Sequence, residues 1–268
     1  MIKIIKSIFT ILVAVYFVLG WSNFDNFKSE IFAQELNEKE SKELEKMETG
    51  TIKFYSLKKS KWEYSKESDI SIFDNYDTVF TPGFGLVIVD KGKMKEYSSI
   101  NKNWEQVNIT LPENYENVFG VGDIGVVSNG KVKVYSKENN NWDEISFTLP
   151  KNYNSAFGIL FENKSKPFGI EFAIAVLIQN KINFYTLNSK NNKWNEIKGT
   201  EFLISGSYQK VFAVGTYIGV LNNQNIKFFS KEKKWKEIKG LDFIIPENYK
   251  DVFGSVIGEP TLCVVTGK

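Results

Sequence analysis

Apolar and polar positions along residues 114–150, NYENVFGVGDIGVVSNGKVKVYSKENNNWDEISFTLP, follow three successive patterns. NVFGVG is apolar and glycine-rich, IGVVS is almost wholly apolar, and KVKVYS alternates Val132 and Val134 with Lys131 and Lys133. Period-2 alternation predicts a strand with one solvated face, and a short unbroken apolar run predicts one covered on both faces. Asn129-Gly130 between two such runs is a strong hairpin signal, because both residues accept the positive φ of a tight turn. Pro150 ends the set, since it lacks a ladder donor. Four antiparallel strands follow, about 117–121, 123–128, 131–137 and 141–148, graded from buried to exposed.

The same order recurs along the chain. A Tyr precedes a Phe by four residues at Tyr76/Phe80, Tyr115/Phe119, Tyr153/Phe157, Tyr208/Phe212 and Tyr249/Phe253, with successive tyrosines 39, 38, 55 and 41 residues apart. Each unit also carries one Trp (Trp62, Trp104, Trp142, Trp194, Trp235), preceded by an aromatic at Tyr55, Tyr97, Tyr135, Tyr185 or Phe229. A period of about 40 residues made of strands predicts a repeat architecture in which each unit is one supersecondary element. A blade of a β-propeller has this gradient, its first strand lining the axis and its last facing solvent. GTIKFYS matches the third strand of a unit and TLCVVTGK the second, so pairing of 261–266 with 51–57 would complete one blade. The expected fold is all-β: a five-bladed β-propeller of four-stranded antiparallel blades over 50–268, closed by its N- and C-terminal half-blades. An open solenoid is the rival arrangement, but it leaves long apolar edges unpaired.

LPENYENVF (111–119) and LPKNYNSAF (149–157) resemble the crossover and inner strand of hemopexin-type repeats. Those domains have four blades, and their usual Asp before the small residue and Phe survives here only at Asp251. Five repeated blades are instead similar to tachylectin-type sugar-binding propellers. Either resemblance implies a fold and carries little chemistry.

Upstream, Lys3 and Lys6 precede an apolar run from Ile8 to Gly20. A basic start and an apolar stretch of about that length mark a signal peptide, with cleavage after Gly20 or Ala33; an uncleaved anchor helix through Trp21 is the alternative. Residues 1–33 are read as this export segment and 34–49 as a charged linker. The expected location is extracytoplasmic, and membrane contact runs only through the N-terminal segment if it stays uncleaved. Between Phe157 and FAIAVLIQ, the third blade carries a longer stretch read as a loop insertion, of the kind that maps to a binding face in repeat proteins.

Composition narrows the chemistry. Net charge is +2 and every basic residue is Lys, so no polyanion field and no arginine fork for guanine exist; no nucleic-acid partner is expected. With no His, neither a Ser-His-Asp site nor a His-ligated metal can form; no cofactor and no metal are expected. Cys263 stands alone between Leu262 and Val264 and reads as a small apolar core residue. Carboxylates remain, with Asp123, Glu162, Asp251 and Glu259 near inner strands, but they do not recur at equivalent positions and no motif pairs them. The triplets NIT (108–110) and NKS (163–165) match the glycosylation pattern.

One aromatic per equivalent strand is what packing between blades demands. The crossover pairs differ, because they combine a polar and an aromatic side chain once per blade. Asn75, Tyr76, Asn114, Tyr115, Asn152, Tyr153, Tyr208, Asn248 and Tyr249 are therefore the candidate ligand-binding residues. Three functions are carried forward. The first is an exported, non-enzymatic propeller that binds a glycan or a protein partner; the others are a carboxylate-dependent glycosidase or lyase and a scaffold of an envelope assembly. A fusion of residues 1–40 to a reporter that is active only outside the cytoplasm is expected to give signal. A silent but expressed fusion would reject export.

Overall fold

The computed structural model describes residues 48–73, 75–82, 85–136, 141–142, 147–163, 169–188, 193–231, 234–255 and 259–267. The export segment, the linker up to residue 47, the side chain of Trp142 and residues 164–165 of the NKS triplet lie outside the described residues. The chain divides into units 1–48 and 49–268, and the fold below is that of the second.

Strands form five antiparallel sheets, each ordered from an inner strand outward. Blade I is Thr78–Phe80, Val87–Asp90, Lys93–Ser98 and Asn103–Val107. Blade II is Tyr115–Gly120, Ile124–Ser128, Lys131–Ser136 and an outer strand described at Asn141–Trp142 and Phe147–Thr148. Blade III is Ser155–Glu162, Ile170–Ile178, Lys181–Asn188, and Lys193–Glu196 with Phe202–Leu203. Blade IV is Lys210–Val214, Tyr217–Asn222, Asn225–Ser230, and Lys236–Glu237 with Phe243–Ile244. Blade V joins the two ends of the unit: Tyr249–Gly254, Thr261–Gly267, Glu48–Lys58, and Lys61–Tyr64 with Ile70–Phe73. Its register runs from Gly50 opposite Gly267 to Ser56 opposite Thr261, so the ring closes by strand pairing as the half-units imply. The Asn129-Gly130 hairpin is present, with φ of 51° and 66°.

Three expectations need correction. In blade II the inner strand begins at Tyr115, two residues before position 117, and in blade V likewise at Tyr249, with a bulge after each tyrosine. Outer strands in blades III to V are broken in two; in III and IV a positive-φ glycine, Gly199 or Gly240, turns the chain between the pieces. Half of the longer stretch in blade III is strand rather than loop. Ser155–Glu162 and Ile170–Ile178 form a prolonged hairpin, because Ile159, Phe161 and Ala173 find burial against neighbouring blades.

At the axis the inner strands approach so closely that side chains are excluded. A Cβ on Gly120 would lie 1.9 Å from the Thr81 carbonyl oxygen, one on Gly158 1.8 Å from that of Gly120, and one on Gly254 2.1 Å from that of Ala213. Each of these glycines follows the Phe of its unit, so the backbone of one blade rests directly on the next. Thr81, in the same position of blade I, instead donates its hydroxyl to the Gly254 carbonyl at 3.2 Å.

Farther out, the seams are filled by aromatic side chains. Trp235 of blade IV stacks on Phe184 of blade III with centroids 5.1 Å apart, and Trp62 of blade V lies 4.9 Å from Phe228 of blade IV. Their indole N–H groups donate to the preceding blade's outer strand: Trp62 to Leu241 O (3.0 Å), Trp104 to Ser71 O (2.9 Å) and Trp235 to Thr200 O (2.6 Å). Phe184 and Phe228 are fully buried. Truncating either to Ala is expected to cost about 3–5 kcal/mol.

Cys263 lies opposite Phe54 and Phe253 in the closing blade, and burial pushes its thiol pKa up. The native thiol is therefore expected to resist a thiol reagent until the protein unfolds. Gly158→Ala should lower the unfolding free energy by about 3 kcal/mol or more and raise the labelling rate of Cys263 in step. Unchanged denaturation midpoints and unchanged labelling would show that the axis is looser than its geometry requires.

Candidate functional site

The crossover tyrosines are tied to the blade before them. Tyr115 donates its hydroxyl to Asp77 at 2.8 Å, Tyr153 to Glu116, and Tyr208 to the Gln179 carbonyl at 2.5 Å. Asp77 and Glu116 each follow the tyrosine of the preceding unit, so the contacts repeat with the fold. Glu116 also accepts the Gly130 N–H at 3.0 Å, across the hairpin turn of its own blade. Tyr115, Tyr153, Tyr208 and Tyr249 are half-buried against the seams, as is Tyr76 against its surroundings. Asn75, Asn114, Asn152 and Asn248 are exposed; Asn248 donates its amide to Gly267 O at 3.1 Å.

Burial, and then the Glu116 carboxylate, push the Tyr153 phenol up to about 12. The Glu116 carboxyl is held below the usual carboxylate range, first by the Tyr153 hydroxyl and then by the Gly130 N–H.

Around the axis, the residue two after each tyrosine forms a ring: Thr78, Asn117, Ser155, Lys210 and Asp251. The first four line a channel of about 120 Å³, and Lys210 makes an ion pair with Asp251. Asp251 also accepts the Val252 N–H at 2.7 Å, and Asn117 donates to Ala156 O at 2.7 Å. The channel mouth is thus polar and internally satisfied. The four candidate carboxylates do not converge. Asp123 lies in a small recess between blades I and II, Glu162 beside Lys231 between III and IV, Asp251 at the axis, and Glu259 exposed before the second strand of blade V. Among the described residues no three His, Cys, Asp or Glu side chains are grouped to hold a metal.

A larger opening lies between blades V and I. Blades V and I are tied at the axis by Thr81 and at the periphery by Trp104. Between these ties, on the face of the turns that join first to second strands, is a cavity of about 660 Å³. Glu67, Ser68 and Asp69 of blade V face Tyr97, Ser99 and Lys102 of blade I across it, with Phe54, Leu86 and Cys263 among the apolar lining. Small-molecule sites have volumes of about 300–1,000 Å³ and mix apolar surface with a few polar groups.

One position sets this seam apart from the others in sequence. Three residues after the Trp stand Val107, Ile197 and Ile238 in blades I, III and IV, each packed into its seam. Ile197 N–H donates to Phe184 O and Ile238 N–H to Phe228 O; in blade V the equivalent donor to Phe54 O is Ser65. Ser65 turns aside to hydrogen-bond Ser68 (3.0 Å), and Phe54 is left half-buried where Phe184 and Phe228 are fully covered. None of the cavity's lining was expected from sequence. Its signal was the polar Ser65 in a column otherwise Val or Ile.

No family model matches the sequence, and no curated protein matches it. Solved structures are similar to this chain at low identity. The WD40 domain of SCAP from fission yeast has a TM-score of 0.42 and 13% identity, over 68% of this chain and 49% of that one. PorZ, a surface component of the type-IX secretion system of Porphyromonas gingivalis, has 0.40 and 12%, over 70% and 23%. A functionally unknown protein from Desulfotomaculum acetoxidans has 0.42 and 12%, over 78% and 70%. The chain thus spans about half or less of the first two proteins. These likenesses concern the fold alone.

The Tyr153–Glu116 contact sets a pH window. The tyrosine's folded pKa is raised, so its contribution to stability is complete below its ordinary 10.0 and fades as pH climbs through about 12. The carboxylate's is lowered, so its contribution is complete above its ordinary 4.5 and fades as pH falls through the folded value. Tyr153→Phe is expected to be less stable than the parent at neutral pH. The gap should close in strong acid and above pH about 12, read from unfolding midpoints across pH. A gap independent of pH would assign the loss to packing alone.

Proposed function

We propose that this protein is an extracytoplasmic, non-enzymatic binding propeller whose ligand occupies the cavity between blades V and I. The observation that carries this is the 660 Å³ opening at a seam whose apolar filler is replaced by Ser65. Its walls carry carboxylate, hydroxyl, phenol and ammonium groups, where the other seams are packed with apolar side chains. The scattered carboxylates Asp123, Glu162, Asp251 and Glu259 support binding over catalysis, since glycoside cleavage needs two carboxyl groups flanking one bond. Lys3, Lys6 and the apolar run after them support export.

A second reading rests on the exposed Asn75, Asn114, Asn152 and Asn248 on the crossover face. Equivalent groups around a ring suit a multivalent glycan or a protein partner. Kinship with hemopexin-type or tachylectin-type propellers belongs to the proposal in the same way, through repeat pattern and blade number.

Small ligands that bind the cavity are expected to raise the melting temperature in a concentration-dependent way while being recovered unchanged. Glu67 and Asp69 share the cavity, so they are the pair to check for turnover. Hydrolysis of a glycoside that disappears in both Glu67→Gln and Asp69→Asn would make the protein an enzyme and overturn the reading.

A further inference from the structure

Resting on the seam-cavity reading above, we infer that the ligand class is a neutral saccharide of one or two rings. The two walls differ in chemistry. Blade V presents the carboxylate of Glu67, which accepts, and that of Asp69, whose Oδ2 already accepts the Tyr64 hydroxyl at 2.5 Å; blade I presents the Lys102 ammonium, which donates, and the Tyr97 and Ser99 hydroxyls, which do both. A ligand that satisfies both walls must donate and accept at several points around its rim. Sugar hydroxyls do this.

The charges exclude simpler ligands. Two carboxylates against one ammonium disfavour a phosphate or a carboxylate ligand, whose desolvated charge would face Glu67 and Asp69. A purely apolar ligand would leave both walls without partners. An organic diamine would suit the carboxylates and meet Lys102 as a like charge. The apolar lining supplies the remaining requirement, because the half-buried ring of Phe54 offers an aromatic surface to the C–H face of a pyranose.

Specificity follows from position 65. An isoleucine there would occupy the space beside Phe54 that Ile197 and Ile238 occupy beside Phe184 and Phe228. Ser65 borders the pocket through two of its lining residues, with its N–H on Phe54 O and its hydroxyl on Ser68, and the Ser65–Ser68 hydrogen bond holds the short turn that carries Glu67 and Asp69. The ligand is gripped between a turn of the closing blade and a strand end of the first, so binding bridges the seam between blades V and I.

The test uses the full chain with glucose, galactose, N-acetylglucosamine, maltose and cellobiose. Glucose 6-phosphate and putrescine serve as charged comparators, and binding is read by saturation-transfer NMR and calorimetry. At least one neutral saccharide should bind. Lys102→Ala should weaken it by about fivefold, the worth of one hydrogen bond. Ser68→Trp and Ser65→Ile should each abolish it, with Ser65→Ile melting no lower than the parent. If Ser68→Trp does not fold, Ser65→Ile carries the result. Putrescine or glucose 6-phosphate binding that is lost in Ser65→Ile, with no neutral sugar bound, would keep the cavity as a site and overturn the saccharide class. Saccharide binding that survives both seam variants would place the sugar elsewhere on the ring and overturn the seam reading. Binding of none of the seven compounds overturns the inference.

Discussion

Everything in this ring depends on how closely five inner strands are brought together at one axis. At Gly120, Gly158 and Gly254 the neighbouring carbonyl lies where a Cβ would be. Backbones that touch cannot be packed by adjusting rotamers, so the radius of the ring is fixed at its centre and the blades must splay from there. The rest of each unit answers to that geometry. The Phe before the glycine is buried, the second strand is covered on both faces, and the widening space between blades is taken up by large aromatic side chains.

Filling the widening gap takes different groups at different radii. Near the periphery Trp62, Trp104 and Trp235 span the gap and anchor their indole N–H on the adjacent blade, so a polar group is satisfied while the apolar body is covered; the buried indole N–H of Trp194 has no such partner. On the crossover face a Tyr does the same with its hydroxyl. Both residues recur for reasons of assembly. Their repetition is evidence of how blades adhere, and it says little about what the protein binds. The departures from repetition are more informative: Ser65 among valine and isoleucines, and Thr81 among small axial residues.

Much of the fold was legible in the chain because its cues are local. Asn129-Gly130 requires positive φ at two consecutive residues, and Lys131–Val134 alternates with the pleat, so both could be read without knowing any neighbour. Closure was legible because complementary half-units stand more than 200 residues apart, as the Thr266 hydroxyl on Thr51 O, a separation of 215, bears out. The bulge after Tyr115 was not, since an extra residue in one strand leaves no mark until its partner strand is known. The prolonged hairpin of blade III was read as loop because Gly158, needed at the axis, and the charged Glu162 and Glu171 interrupt an otherwise apolar run. The seam cavity depends on which blade faces which. Ser65 becomes conspicuous only once its N–H is matched to those of Ile197 and Ile238 through the carbonyl each one meets.

The closing blade also governs the order in which structure can form. Four blades are contiguous in sequence, and each can assemble from hairpins whose strands are a few residues apart. The fifth needs two segments separated by about the length of the whole ring, so its loop-closure entropy must be met before its contacts contribute. A molecule with four blades formed and the last unjoined would present the unpaired edges of Glu48–Lys58 and Thr261–Gly267, the latter carrying Leu262, Cys263, Val264 and Val265. Such a species is self-complementary between copies as well as within one. Exchange of the closing strand between two chains is therefore the natural failure of this architecture at high concentration, and the same strand pairing that completes the monomer would hold such a dimer together.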